Sequence, residues 1–147
     1  MAADPVSIPA FSGLLEEKLP SHCRFQRGKV RDIVTSGNRM VMTTSDRISA
    51  FDTVLGLVPS KGEVLNQISL YWFDQARALT PHHLVGDHDA RIRELGREYP
   101  ELAHRSMIVK KLKPLPIEAV VRGYLSGSGW KDYREKGKLF EYELPAG

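Results

Sequence analysis

Residues 23–44, CRFQRGKVRDIVTSGNRMVMTT, decide the fold. Three short runs, Cys23 to Gln26, Val30 to Thr35 and Arg39 to Thr44, are separated by Arg27-Gly28-Lys29 and by Ser36-Gly37-Asn38. Apolar and β-branched runs punctuated by glycine-bearing turns predict an antiparallel meander. The second turn has ordinary hairpin residues. The first sets Gly28 beside Lys29 and Arg31, which suits either a plain hairpin or a loop folded over a polyphosphate.

Downstream, the last strand runs into TTSDRISAFD, residues 43–52. Its hydroxyls and acids suit a wall against a polar ligand, or else Asp46 and Arg47 pair locally while Asp52 caps a turn. Ser60-Lys61-Gly62-Glu63 has the Ser-x-x-Glu form of a capping box and predicts a helix over 62–79. Leu65, Ile68, Trp72, Ala76 and Leu79 recur at helical spacing, and Thr80-Pro81 stops the run. Tyr71-Trp72-Phe73 reads as core, because neighbouring residues point in different directions on a helix and cannot form one stacking platform.

His82, His83 and His88 with Asp87 and Asp89 invite a zinc reading, but adjacent histidines diverge and no thiolate completes a tetrahedral set. No metal ligand is assigned. Asp89 to Tyr99 reads as a short surface helix ending before Pro100. Ser106 to Leu112 and Ile117 to Leu125 read as strands joined by Lys113-Pro114-Leu115-Pro116, whose prolines cannot pair fully and which can line a flat pocket.

The second strand opens into AVVRGYLSGSGW, residues 119–130. Free amides at a helix start, the helix dipole, Ser126, Ser128 and the Arg122 fork converge there, and glycines allow close approach. The stretch suits an anion site, or a plain strand-turn-helix with a serine N-cap. Gly137 ends the helix, and Leu139 to Tyr142 reads as a further strand. Upstream, residues 1–22 form an arm with Pro5, Pro9 and Pro20 around an amphipathic piece, Phe11 to Lys18.

The 147 residues, 41% hydrophobic, suffice for one compact domain with a real core. A formal charge of +3 and a pI near 9.1 favour anionic small molecules at least as much as nucleic acid. Successive strand positions alternate faces, so Lys110, Lys111 and Lys113 form no single basic stripe. The lone Cys23 fits a reducing compartment, and Met1 to Pro5 lacks the order of a secretion signal. A cytoplasmic protein without nucleic-acid or membrane partners is expected.

Taken together, Gly28 to Ile33, Ser45 to Asp52, Lys61-Gly62 with Leu65 to Ser69, and Met107 to Trp130 resemble one family, in its order, over roughly residues 25–147. That family is phosphoribosylaminoimidazole-succinocarboxamide synthase, also called SAICAR synthetase. The resemblance implies an α+β fold: an antiparallel sheet lobe like a kinase N-lobe over residues 23–112, then the hinge and start of a larger ATP-binding lobe over 113–147. It implies an ATP- and magnesium-dependent ligase of purine biosynthesis. Carboxyaminoimidazole ribonucleotide would be phosphorylated on its carboxylate and attacked by the amine of L-aspartate, releasing ADP and phosphate.

By position, Gly28 and Lys29, with Arg31 nearby, would cover the ATP phosphates. Lys111, Leu112 and Pro114 would border adenine, and Glu118 would face the sugar. Arg122, Ser126, Gly127 and Ser128 would hold the imidazole ribonucleotide, Ser128 on its 5′-phosphate, with Ser49 and Asp52 on the substrate-side loop. Lys29 and Arg122 would carry the catalytic charge. The family's chain is longer, so an N-terminal portion is expected, poorly active alone, with the magnesium ligands and a complementary half elsewhere. A noncatalytic interaction module and a basic nucleic-acid-binding domain are the competing readings.

Overall fold

The computed structural model describes residues 9–145; Met1 to Ile8, with Pro5 of the arm, and the last two residues lie outside the described part. The chain divides after Leu112 into two units. In the first, β1 (Arg24–Arg27), β2 (Arg31–Ser36) and β3 (Arg39–Thr44) form the expected meander, and β6 (Ser106–Lys110) adds to β3. A two-stranded hairpin follows β3, made of β4 (Arg47–Ala50) and β5 (Thr53–Leu57). Helices α1 (Lys61–Ala76) and α2 (His88–Glu98) complete the unit. The result is an α+β arrangement with an antiparallel sheet.

Strand pairing puts Asp32, Val34, Val41, Thr43, Ser106 and Ile108 on one face of the sheet. Against that side lie Leu14 of the arm and Leu102 beyond α2, with an apolar cavity of ≈ 360 Å³ between. No residue assigned to the site by resemblance lines that cavity.

Helix α1 forms where expected, but three details differ. It ends at Ala76, three residues short of Leu79. The capping box is not made: Ser60 has φ 60°, its hydroxyl caps nothing, and Glu63 binds Arg105 instead at 2.7 Å. The Gly62 amide is capped by the distant Asp46 carboxylate, 2.8 Å away. The expected apolar stripe also faces outward. Leu65, Ile68 and Trp72 of that stripe are exposed, as is Tyr71, so the Tyr71-Trp72-Phe73 run expected in the core is not buried, and the buried face carries Gly62 and Asn66. The cause is close approach and polar anchoring. A Cβ on Gly62 would sit 2.3 Å from the Thr44 carbonyl oxygen, and the Asn66 amide donates to the carbonyls of His104 and Ser106 at 3.1 and 3.2 Å. Bulky residues cannot enter so narrow a gap.

The second unit holds α3 (Gly127–Lys136) and a small hairpin of β7 (Lys138–Leu139) and β8 (Tyr142–Glu143). The hairpin replaces the single strand expected over Leu139 to Tyr142, because Phe140 turns the chain at φ 54°. Gly137, at φ 68°, ends α3 as expected. The strand expected over Ile117 to Leu125 is absent: these residues are irregular and exposed. Their apolar character reads as a strand, but a strand needs a paired neighbour, and none of the described strands pairs with this segment. Likewise β6 stops at Lys110, though the Lys111 amide still reaches the Asn38 carbonyl at 2.8 Å.

Candidate active site

In the first unit the site begins at the turn between β1 and β2. The Gly28 amide donates to the Arg31 carbonyl at 2.7 Å, and a Cβ on Gly28 would meet that same oxygen at 2.8 Å, so only glycine closes the turn unstrained. The Lys29 ammonium forms an ion pair with Asp52. That contact joins two of the stretches read separately in the sequence. Asp52 does not cap its own turn; Phe51 and Asp52, at φ 49° and 65°, make the two-residue loop of the β4–β5 hairpin. Hydrogen bonding and charge from Lys29 hold the Asp52 carboxyl below its ordinary range. Ser49 sits beside an irregularity in β4, half-buried.

Arg31 opens β2 with an exposed side chain. Its charge reaches His83, whose imidazole titrates low because partial burial disfavours its charged form and His82 and Arg31 add their charges. Lys111 and Leu112 lie at the other end of the sheet from Gly28 and Lys29, one strand length or about 17 Å away.

Behind the loop stands a buried set of charges. Asp46 and Arg47 do not pair with each other. Asp46 lies in the bend before β4 and Arg47 opens that strand, and Arg47 binds Asp32 at 2.6 Å while Asp46 binds Arg105 at 3.0 Å. All four are buried. The arm, given no chemistry from its sequence, is strapped to this set: Phe11 and Leu14 donate amides to Asp46 and Asp32 at 2.7 and 2.8 Å, and Phe11 lies under Arg105. Burial raises the Asp46 pKa, but the Phe11 and Gly62 amides and Arg105 outweigh it and hold the carboxyl below its ordinary value.

In the second unit, Pro114 and Glu118 lie exposed in the irregular segment. The Arg122 guanidinium packs against the start of α3, its carbon 3.6 Å from where a Cβ on Gly127 would lie. Gly127 has φ 64°, and Ser126 occupies the N-cap position with its hydroxyl making no cap bond. Ser128 follows in the first turn. Among the described residues no hydrogen bond or ion pair engages the Arg122 side chain. An exposed cation, unbonded hydroxyls and helix-start amides therefore share one patch.

The sequence signature of the SAICAR synthetase family matches residues 24–146. The chain belongs to that family. The chain is 47% identical over 142 residues to phosphoribosylaminoimidazole-succinocarboxamide synthase of Methylibium petroleiphilum, covering 95% of this chain and 47% of that one. It is 50% identical over 123 residues to the enzyme of that name from Polaromonas naphthalenivorans, covering 82% and 40%. The chain thus spans about half the length of the curated relatives it matches.

Solved structures agree. A SAICAR synthase superimposes with TM-score 0.72 at 33% identity, covering 88% of this chain and 47% of that one. The Saccharomyces cerevisiae enzyme complexed with SAICAR does so with TM-score 0.72 at 32% identity, covering 96% and 49%. The SAICAR synthetase family is one of purine-biosynthesis ligases, and the shared fold is α+β. No helix among the described residues is long and apolar enough to cross a membrane.

Proposed function

We propose that the chain forms the loop-and-acceptor part of an ATP-dependent ligase that joins carboxyaminoimidazole ribonucleotide to L-aspartate, giving SAICAR, ADP and phosphate. The observation that carries this reading is the Arg122 patch: within the family's segment, a guanidinium and two serine hydroxyls that have no hydrogen-bond partner among the described residues stand together at a helix start. That chemistry suits the phosphate and carboxylate of the ribonucleotide.

The first unit suits the nucleotide. Lys29 is an exposed cation in a glycine turn, held in place by Asp52, and it would exchange that carboxylate for phosphate oxygens. ATP, when bound, supplies the phosphoryl group that makes the carboxylate an acyl donor. Positioning and charge neutralisation are what the chain's own residues contribute. Lys111 and Leu112 at the far end of the sheet leave one strand length for the nucleotide to lie along. Among the described residues no three His, Cys, Asp or Glu side chains converge to hold a metal ion, so no step is assigned to magnesium.

Two substitutions test the reading by calorimetric titration of the 147-residue chain. Lys29→Ala is expected to weaken ATP binding about ten-fold with the melting temperature kept, since an exposed loop lysine adds little to stability. Unchanged ATP affinity would remove Lys29 from the site. Arg122→Lys is expected to weaken ribonucleotide binding about ten-fold while sparing ATP, because a point charge does not reproduce a two-pronged fork. Equal losses for both ligands would mean general damage and sink the assignment.

A further inference from the structure

We infer that Arg47 is the positioning residue of the phosphate loop, setting its backbone amides toward the ligand from behind. The inference rests on the reading above that the Gly28–Lys29 turn covers nucleotide phosphates. A backbone loop binds phosphate only if its N–H groups face the anion and its carbonyls face away. Here three successive carbonyls are drawn inward. Arg47 donates from Nη2 to Gly28 and from Nε to Lys29, each at 3.0 Å, and Ser45 donates its amide and its hydroxyl to Val30, both at 2.9 Å.

In a trans peptide the C=O and the following N–H point in opposite directions. Turning the carbonyls of Gly28 and Lys29 inward therefore turns the amides of Lys29 and Val30 outward, on the side away from the guanidinium. Among the described residues neither amide has an acceptor. Two neighbouring outward amides beside the Lys29 ammonium form an anion-binding concavity.

Arg47 itself is buried, so it holds the loop without touching what the loop binds. Its fork is fully occupied: Asp32 at 2.6 Å fixes its charge and orientation, and Nη1 donates to the Ser12 carbonyl of the arm. Gly13 makes room for that contact. Its φ is 137°, and a Cβ there would fall 2.4 Å from both Arg47 Nη1 and Asp32 Oδ2. The arm, the carboxylate and the loop thus share one guanidinium. A lysine keeps the charge opposite Asp32 but cannot span those acceptors.

The test follows amide resonances of the ¹⁵N-labelled chain during titration with ATP. Saturable shifts of Lys29 and Val30 are expected in the wild type. Arg47→Lys is expected to bind ATP about ten-fold more weakly, the loss typical of charge-assisted bonds that fix a ligand-bearing group. Its affinity for the ribonucleotide is expected to be unchanged. Should Arg47→Lys not fold, the charge-free pair Asp32→Asn with Arg47→Gln takes its place, with the same ATP deficit expected.

Wild-type ATP affinity in a folded variant overturns the inference. Wild-type shifts at Lys111 and Leu112 without any at Lys29 or Val30 overturn the phosphate-loop reading and the inference with it, and leave only the adenine end of the nucleotide reading. No ATP-dependent shift anywhere overturns both.

Discussion

Asp46→Ala is expected to lower the unfolding free energy of the sheet-bearing unit by about 3–5 kcal/mol, the range for breaking a buried charge pair from one side. The loss has three parts. Arg105, buried, keeps its bond to Glu63 but loses the fully buried carboxylate at 3.0 Å. The Gly62 amide loses the cap of α1, and the Phe11 amide loses its anchor, so the helix start and the arm loosen together. Urea denaturation followed by far-ultraviolet dichroism measures the change, and a loss under about 1 kcal/mol would show that water replaces the carboxylate at little cost.

The pH dependence of the same pair has a defined sign. The Asp46 pKa is lower in the folded chain than its ordinary 3.8, so its contribution is complete above that value. It is lost as the pH falls through the folded pKa. The stability gap between wild type and Asp46→Ala is therefore expected to stay constant toward neutrality and to narrow only in acid.

Gly62→Ala is the second large effect, about 3 kcal/mol, at the upper end of the usual overpacking cost. The added methyl would meet the Thr44 carbonyl oxygen at 2.3 Å and the Arg105 guanidinium at 2.9 Å. Neither can yield cheaply. Thr44 is tied into place by the hydrogen bond its backbone N–H donates to the Arg105 carbonyl at 2.8 Å, and Arg105 is held by both Asp46 and Glu63. Relief requires sliding α1 off the sheet, which would also stretch the Asn66 bonds. A thermal melt within a degree of wild type would refute this account of why the position is glycine.

Where local chemistry dictates structure, the sequence was readable. Gly28 and Gly37 marked the two turns of the meander, and Gly137 marked the end of α3. The apolar spacing of α1 located the helix but not its orientation, because burial there is decided by the contacts of Gly62 with Thr44 and of Asn66 with Ser106, the latter 40 residues away. The pairing of Asp32 with Arg47 and of Asp46 with Arg105 was hidden for the same cause: adjacent opposite charges suggest each other until the bend between β3 and β4 sends them to distant partners. In the site, the contact between Lys29 and Asp52 was legible only as two isolated polar turns. Residues 117–125 failed differently, since their apolar run specifies a preference for pairing without naming a partner.

The order of strands in the sheet also governs how the chain reaches its native state. Strands β1 to β3 are joined by tight turns and can zip up from contacts a few residues apart. Strand β6 is different: Thr43 pairs with Ser106 across a 63-residue separation, and both helices lie inside that loop. Its closure entropy must be met before β6 returns any stabilisation. The Arg47 contacts to Asp32, Gly28 and Lys29 span fewer than 20 residues and need only the meander and the start of β4. Arg105, in contrast, arrives with β6. The clasp behind the loop is thus available early in folding, as is the cap that Asp46 places on the Gly62 amide, and the bonds of Arg105 to Asp46 and Glu63 are consolidated last.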